Sequence, residues 1–249
     1  MDFTKEFGVN MKWAGIVGLL MCAAVASPGK DSGGQLVDSG SFGIFLNGRR
    51  VMTETFSIHQ QTGGVNTVAS QIKEDAGPSS QDSELQVTSS GALVRYEWHE
   101  AAPEKSSLLV VPNNEFLMET VTQKPGDKPA EQPFLLPTTS PIVDNNFFVH
   151  RQVLAWRYLA TSCTQEPGKG MKCGPADFGT LVPQERLSAH ISVVPVGDEK
   201  IPIRGVEQML LRIDLKGDDG QWQMWLNPLD HYKLMRVTKT GEAVEVVRD

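Results

Sequence analysis

Two cysteines, Cys163 and Cys173, are the residues whose type and spacing most directly imply chemistry. They enclose TQEPGKGMK, a short segment rich in Gly, Pro and Lys. In an oxidising compartment such a pair forms a disulfide, and closing a loop this short contributes about 2–3 kcal/mol. A catalytic dithiol is usually spaced by two residues, and a zinc site needs more ligands than this pair supplies. The five histidines stand singly at 59, 99, 150, 190 and 231. None makes the paired spacing of a metal helix or strand, so no metal and no cofactor is expected, and each reads as a surface or hydrogen-bonded residue. The chain also lacks a Gly-x-Ser-x-Gly elbow, a Ser-x-x-Lys pair and a phosphate-binding glycine loop, so no catalytic residue is assigned. A hydrolase would have to assemble dispersed groups, and His150, Glu54 and Arg157 are the set to inspect for it.

Glu54 is the carboxylate that stands out. It alternates onto the same strand face as Met52, Phe56 and Ile58, where an unpaired charge is costly. It is either a polar anchor inside an apolar cavity, paired with Arg95, Arg151 or Arg157, or a wet residue on a partly covered face. The aromatic residues pose the same alternative. Tyr96, Trp98, Trp156, Trp222 and Trp225 line a ligand groove or form the core. Trp222 and Trp225 point to opposite faces of a strand, so one of them leaves the main core face. The candidate ligand-binding residues are Met52, Glu54, Phe56, Tyr96, Trp98, Trp156 and Arg157.

Period-two patterning dominates the elements that must position these residues. Phe42, Ile44 and Leu46 alternate ahead of Asn47-Gly48, a type I′ hairpin signal; strands over about 50–60 and 65–73 follow. Residues 74–83 read as a polar loop. Val94, Tyr96 and Trp98 form one inward face, and strands are expected over 107–111 and 115–123. Prolines 125, 129, 133, 137 and 141 make 124–141 a strap across the sheet rather than an element. One helix is expected over about 145–160, with Asp144, Asn145 or Asn146 as its N-cap and Val149, Val153, Trp156 and Ala160 on one face. Strands return over 178–196, broken at Pro183, then over 206–215, 222–226, 233–239 and 243–247. The pattern predicts about ten strands and one core, with the chain from 36 to 249 a single domain.

Composition restricts the partners. The formal charge is −7 with no Lys/Arg cluster, so nucleic acid is not an expected partner. Lys12 precedes an apolar run from Trp13 to Ala26 that ends in Ala-Val-Ala. That is the layout of a cleaved signal peptide, and the run is shorter than the ~20 residues of a spanning helix. Residues 1–26 therefore read as a leader and 27–35 as a flexible tether. Cys22 follows Met21, which argues against a lipidated cysteine. A periplasmic protein is expected ahead of an extracellular or membrane-anchored one, with membrane contact at most transient.

The segments Trp225-Leu226-Asn227-Pro228, Lys233-Leu234-Met235-Arg236-Val237 and Glu245-Val246-Val247 resemble the tail of uncharacterised bacterial periplasmic β proteins. Gly43 to Ile58, with its Asn-Gly turn, is similar to such domains as well. The resemblance implies a fold like that of the lipoprotein carriers, a curved and incompletely closed antiparallel sheet embracing a helix, and it carries over no site residue. The expected fold is thus mainly β, a curved antiparallel sheet or half-open barrel with one helix on its concave face. The expected function is non-enzymatic binding of an apolar ligand such as a lipid or acyl chain. The alternatives are an envelope interaction or scaffold module with a filled core, meeting an envelope protein partner, and the dispersed-residue hydrolase.

Overall fold

A computed structural model describes residues 34–249, apart from 76, 102–104, 167–169 and 219. The leader and nearly all of the tether lie outside the described residues, and Gln35 already opens the first strand. Eight strands run as an antiparallel meander: β1 (Gln35–Leu46), β2 (Arg49–Gln60), β3 (Asn66–Glu74), β4 (Ser79–Val87), β5 (Leu93–Glu100), β6 (Ser107–Asn113), β7 (Phe116–Thr122) and β8 (Ala130–Phe134). Helix α1 (Val149–Ser162) follows, then a hairpin of β9 (Cys163–Glu166) and β10 (Gly170–Cys173). A second meander comprises β11 (Ala176–Val182), β12 (Leu187–Ile203), β13 (Val206–Gly217), β14 (Gly220–Asn227), β15 (Lys233–Lys239) and β16 (Val244–Arg248). β16 pairs with β1, and this joins the two meanders into one curved antiparallel sheet of 14 strands.

The sheet does not close into a barrel, because β8 and β11 remain its edges. Side chains and one short parallel bridge span the gap instead. Ile142 bridges Leu181 on the β11 edge, with Val143 N donating to Leu181 O at 3.0 Å and Leu181 N to Pro141 O at 3.0 Å. Pro183–Glu185 forms a 3-10 turn after β11, and Arg186 follows it at φ 54°. The Arg186 guanidinium meets Glu119 of β7 at 3.1 Å, and Gln132 of β8 donates to the Arg186 carbonyl at 3.4 Å.

Local sequence explains most of these elements. Asn47 and Gly48 both take positive φ, 52° and 76°, as the type I′ turn requires. Pro133 lies on the edge strand β8, where its missing N–H costs no ladder bond. The strand count exceeds the expectation because strands with little apolar signal were hidden. Part of the expected loop 74–83 is the start of β4, whose polar SSQDSELQV run is held by ladders to β3 on one side and β5 on the other. Likewise β8 lies within the segment read as strap. Val94 does not share an inward face with Tyr96. The register of β4 against β5 shifts between Gln86 and Val87, so Leu93 turns inward and Val94 outward.

The core fills the inner face of the sheet. Phe42 and Phe56 stack at 5.0 Å. Ile58, Val68, Leu85, Tyr96 and Val110 continue the layer across β2 to β6. Phe148, Leu154 and Tyr158 of the helix segment press onto it. Trp222 joins this core edge-on to Phe148, whereas Trp225 leaves it. Trp225 is nonetheless buried, under the distal β12–β13 hairpin with Ile201, Ile203 and Leu210, and its indole N–H donates to Glu199 at 2.9 Å.

Cys163 and Cys173 form a disulfide directly across the β9–β10 pair. Met171 and both cysteines pack on the core, and Tyr158 Oη donates to Gly174 O at 2.8 Å just beyond the hairpin. The covalent tie thus orders the exit of α1. Replacing both cysteines by serine is expected to lower the free energy of unfolding by about 2–3 kcal/mol, read as a lower urea midpoint. The circular dichroism spectrum should be unchanged.

Candidate ligand cleft

Helix α1 is set into the sheet by polar groups, and their positions decide where open space remains. The helix has no cap of its own. Phe148 occupies the N-cap position without a side-chain hydrogen bond, and the first turn carries no acid. Glu54 takes that role from β2. Its carboxylate accepts from Phe148 N at 2.7 Å, Val149 N at 3.1 Å and Ser70 Oγ at 2.8 Å. An anion at a helix N-terminus is favourable, but Glu54 is fully buried. Desolvation outweighs the three hydrogen bonds and raises its pKa to about 7, with the nearby Asp144 adding to the rise. The expected caps act elsewhere: Asp144 accepts from Asn146 N at 2.7 Å and binds the Tyr96 hydroxyl and Gln184. None of the three arginines weighed as partners meets Glu54.

Further along, Gln152 fixes the next turn. It donates to Asp38 at 2.8 Å and accepts from Leu234 N at 2.8 Å and from Arg248 at 3.3 Å. Leu234 lies beside a register shift between β14 and β15, which turns its amide toward the helix. Arg248 spans to Asp38 at 2.7 Å and lies over the Phe42 and Phe56 rings. Trp156 donates to Tyr232 O at 3.0 Å, and Arg157 donates to the carbonyls of Gly91 and Thr139.

With the helix held this way, a cleft of about 350 Å³ opens beside its C-terminal half. Val153, Trp156 and Arg157 of α1 form one wall; Ile58 of β2, Val68 of β3 and Val87 of β4 form the other. Ser89, Ser90 and Gly91, in the β4–β5 turn, make a polar rim. A smaller chamber of about 40 Å³, lined by Leu85, Leu93, Ile142 and Leu154, adjoins it past Gly91 and Arg157. The volume falls within the ~300–1,000 Å³ of small-molecule sites, and an apolar wall with a few polar groups is their usual lining.

Of the seven candidate residues, only Trp156 and Arg157 line this cleft. Of the other five, Glu54, Phe56 and Tyr96 are buried, and Met52 and Trp98 are half-buried against the core. Glu54 caps the helix, Phe56 is stacked on Phe42, and Met52 packs on the core. Tyr96 is fully buried with its hydroxyl on Asp144, and Trp98 donates to Gln81 at 3.1 Å. Pairwise alternation marked these residues as inward, and inward here means filled. The cleft residues Ile58, Val68 and Val87 carry the same alternation, and the only further cue was Gly91, which closes a Thr-Ser-Ser turn.

In the set inspected for hydrolysis, Glu54, His150 and Arg157 make no hydrogen bond with one another. His150 is fully buried, edge-on to Tyr96, and neither ring nitrogen has a hydrogen-bond partner among the described residues. Burial, with Arg151 nearby, lowers its pKa to about 3, so it departs from the hydrogen-bonded or surface histidine expected from sequence. Arg157 is engaged at the cleft by carbonyls. Among the described residues no group of three His, Cys, Asp or Glu side chains is placed to hold a metal ion.

No protein-family model matches the chain, and no curated protein matches it in sequence. Among solved structures, a beta-barrel-like protein of domain of unknown function DUF1849 from Brucella abortus is similar at a TM-score of 0.49 and 8% identity, over 87% of this chain and 96% of that one.

Glu54 and His150 pull stability in opposite directions with pH. Glu54 titrates near 7 folded and near 4.5 unfolded. Its contribution is therefore complete below 4.5 and is lost as pH rises through 7. His150 titrates near 3 folded and 6.5 unfolded, so its contribution is present above 6.5 and fades as pH falls toward 3. Between pH 8 and 5 each is worth about 2–3 kcal/mol, and they largely offset. Glu54→Gln removes one side of this balance. Urea unfolding at the two pH values is expected to show the variant losing about 2–3 kcal/mol more than wild type on acidification. An unchanged pH response would mean that Glu54 does not titrate in this window.

Proposed function

We propose that this protein is an exported, non-enzymatic binding protein of the bacterial envelope that holds an apolar ligand, a lipid or acyl chain, in the cleft beside α1. The observation that carries the reading is the cleft itself: about 350 Å³ of space walled by Ile58, Val68, Val87, Val153 and Trp156. Each methylene removed from water there contributes about 0.8 kcal/mol. Polar groups anchor the helix that forms one wall at its start and at its middle, so the site is largely pre-formed. The disulfide and the signal-like leader sequence support export, and no helix among the described residues is long and apolar enough to cross a membrane.

A second reading, the interaction module, draws on the filled interior and on Leu135 and Leu229, both almost wholly exposed. Native mass spectrometry with solvent extraction separates the two. Protein purified without detergent is expected to carry an apolar molecule in near-stoichiometric amount. Val153→Phe, which fills the cleft from the helix side, should abolish this load while circular dichroism stays unchanged. Wild-type protein that is apo and takes up no added acyl chain would favour the interaction module.

A further inference from the structure

Among the described residues that line the cleft, Arg157 is the one that carries a charge. Six arginines of this chain, at 50, 95, 186, 212, 236 and 248, each make an ion pair with a carboxylate. Arg157 makes none among the described residues, although the chain carries 30 acidic side chains against 23 basic ones. Its position is fixed all the same. Nη1 donates to the carbonyls of Gly91 and Thr139, and the guanidinium lies 5.7 Å from the centre of the Phe178 ring. Gly91 has φ +81°, a conformation that favours glycine, and its Cα side lies against the Arg157 stem.

Two carbonyls on Nη1 leave the other side of the fork. Nε is buried with no acceptor, and Nη2 has no partner among the described residues. Because Nε is sealed from solvent, Nη2–H is the donor left to meet an anion in a charge-assisted hydrogen bond. It belongs to a residue that lines the cleft next to the hydroxyls of Ser89 and Ser90. Partial burial also lowers the pKa of Arg157, with no acid to counter it, so its charge is held at a cost that an anion would offset.

Resting on the cleft as a binding site, we infer that its ligand is a single-chain amphiphile with an anionic head, with Arg157 as the counter-charge. The acidic head meets Nη2 of Arg157 and the serine hydroxyls of the β4–β5 turn. The chain lies between Ile58 and Val68 on one side and Val153 and Trp156 on the other. Arg157 then selects the ligand by its head, while the apolar wall holds the chain whatever its head.

Comparing dodecanoate with dodecanol tests this, since the two share a chain and differ in charge. Binding is followed in the purified, delipidated protein by the change in tryptophan fluorescence and by isothermal titration calorimetry, below micelle-forming concentrations. Wild type is expected to prefer dodecanoate by about tenfold or more, the scale of a charge-assisted hydrogen-bond pair. Arg157→Gln should bring dodecanoate down to the level of dodecanol and leave dodecanol binding unchanged. Equal binding of the two by wild type overturns the inference and leaves the apolar cleft standing. Binding of neither overturns both. A preference that survives intact in Arg157→Gln overturns the assignment to this guanidinium. Because the wild-type comparison uses no variant, it decides even if that substitution fails to fold.

Discussion

The architecture depends on one buried carboxylate. Helix α1 begins with no acid, no capping side chain and four amides to satisfy, and it begins inside a sheet where water does not reach. Glu54 reaches it from β2 and takes the Phe148 and Val149 amides together with the Ser70 hydroxyl. The helix start and the second strand are thereby fixed to each other across nearly a hundred residues of chain. Each partner solves the other's difficulty, since an uncapped helix end and an unpaired carboxylate are both costly when buried. The compromise is visible in the raised pKa of Glu54, where desolvation still outweighs its hydrogen bonds.

Every later contact of the helix follows from that anchor. Once residues 148 and 149 are placed, helical geometry brings Gln152 to the Asp38–Arg248 pair and Trp156 to the Tyr232 carbonyl, each on a different strand or turn. The helix is thus pinned to both meanders, which are also joined by the β1–β16 ladder, the bridge at Ile142 and the Arg186–Glu119 ion pair. Its N-terminal half is packed in the sheet interior, and the cleft lies beside one face of its C-terminal half. The open space in this fold thus lies beside a tethered helix and not inside an empty barrel.

Much of the fold was legible because it rests on local rules. The Asn47-Gly48 turn, the alternation through β2 and β3 and the opposed faces of Trp222 and Trp225 are set by φ preferences and by the period of a strand. Weaker signals failed where tertiary pairing supplies what the residues lack. β4 is polar yet is a central strand because two neighbours complete its ladders. A single register shift turned Val94 outward, and no residue type announces such a shift. The site was legible only in part for a related reason. Alternation identifies inward residues, but whether an inward residue meets another side chain or open space depends on the packing of an element far away in sequence.

The sequence by itself determined the mainly β character, the single helix, the cysteine pair and the shared face of Glu54 with Phe56 and Ile58, because each follows from backbone preference, periodicity or spacing within a few residues. Only the tertiary structure decided that Glu54 caps a helix rather than meeting an arginine. It also decided that His150 is sealed without a partner, and that Trp156 and Arg157 face a cleft while Phe56 and Tyr96 face the core. Those outcomes turn on desolvation and close packing between distant segments, and such energies exist only once the segments meet.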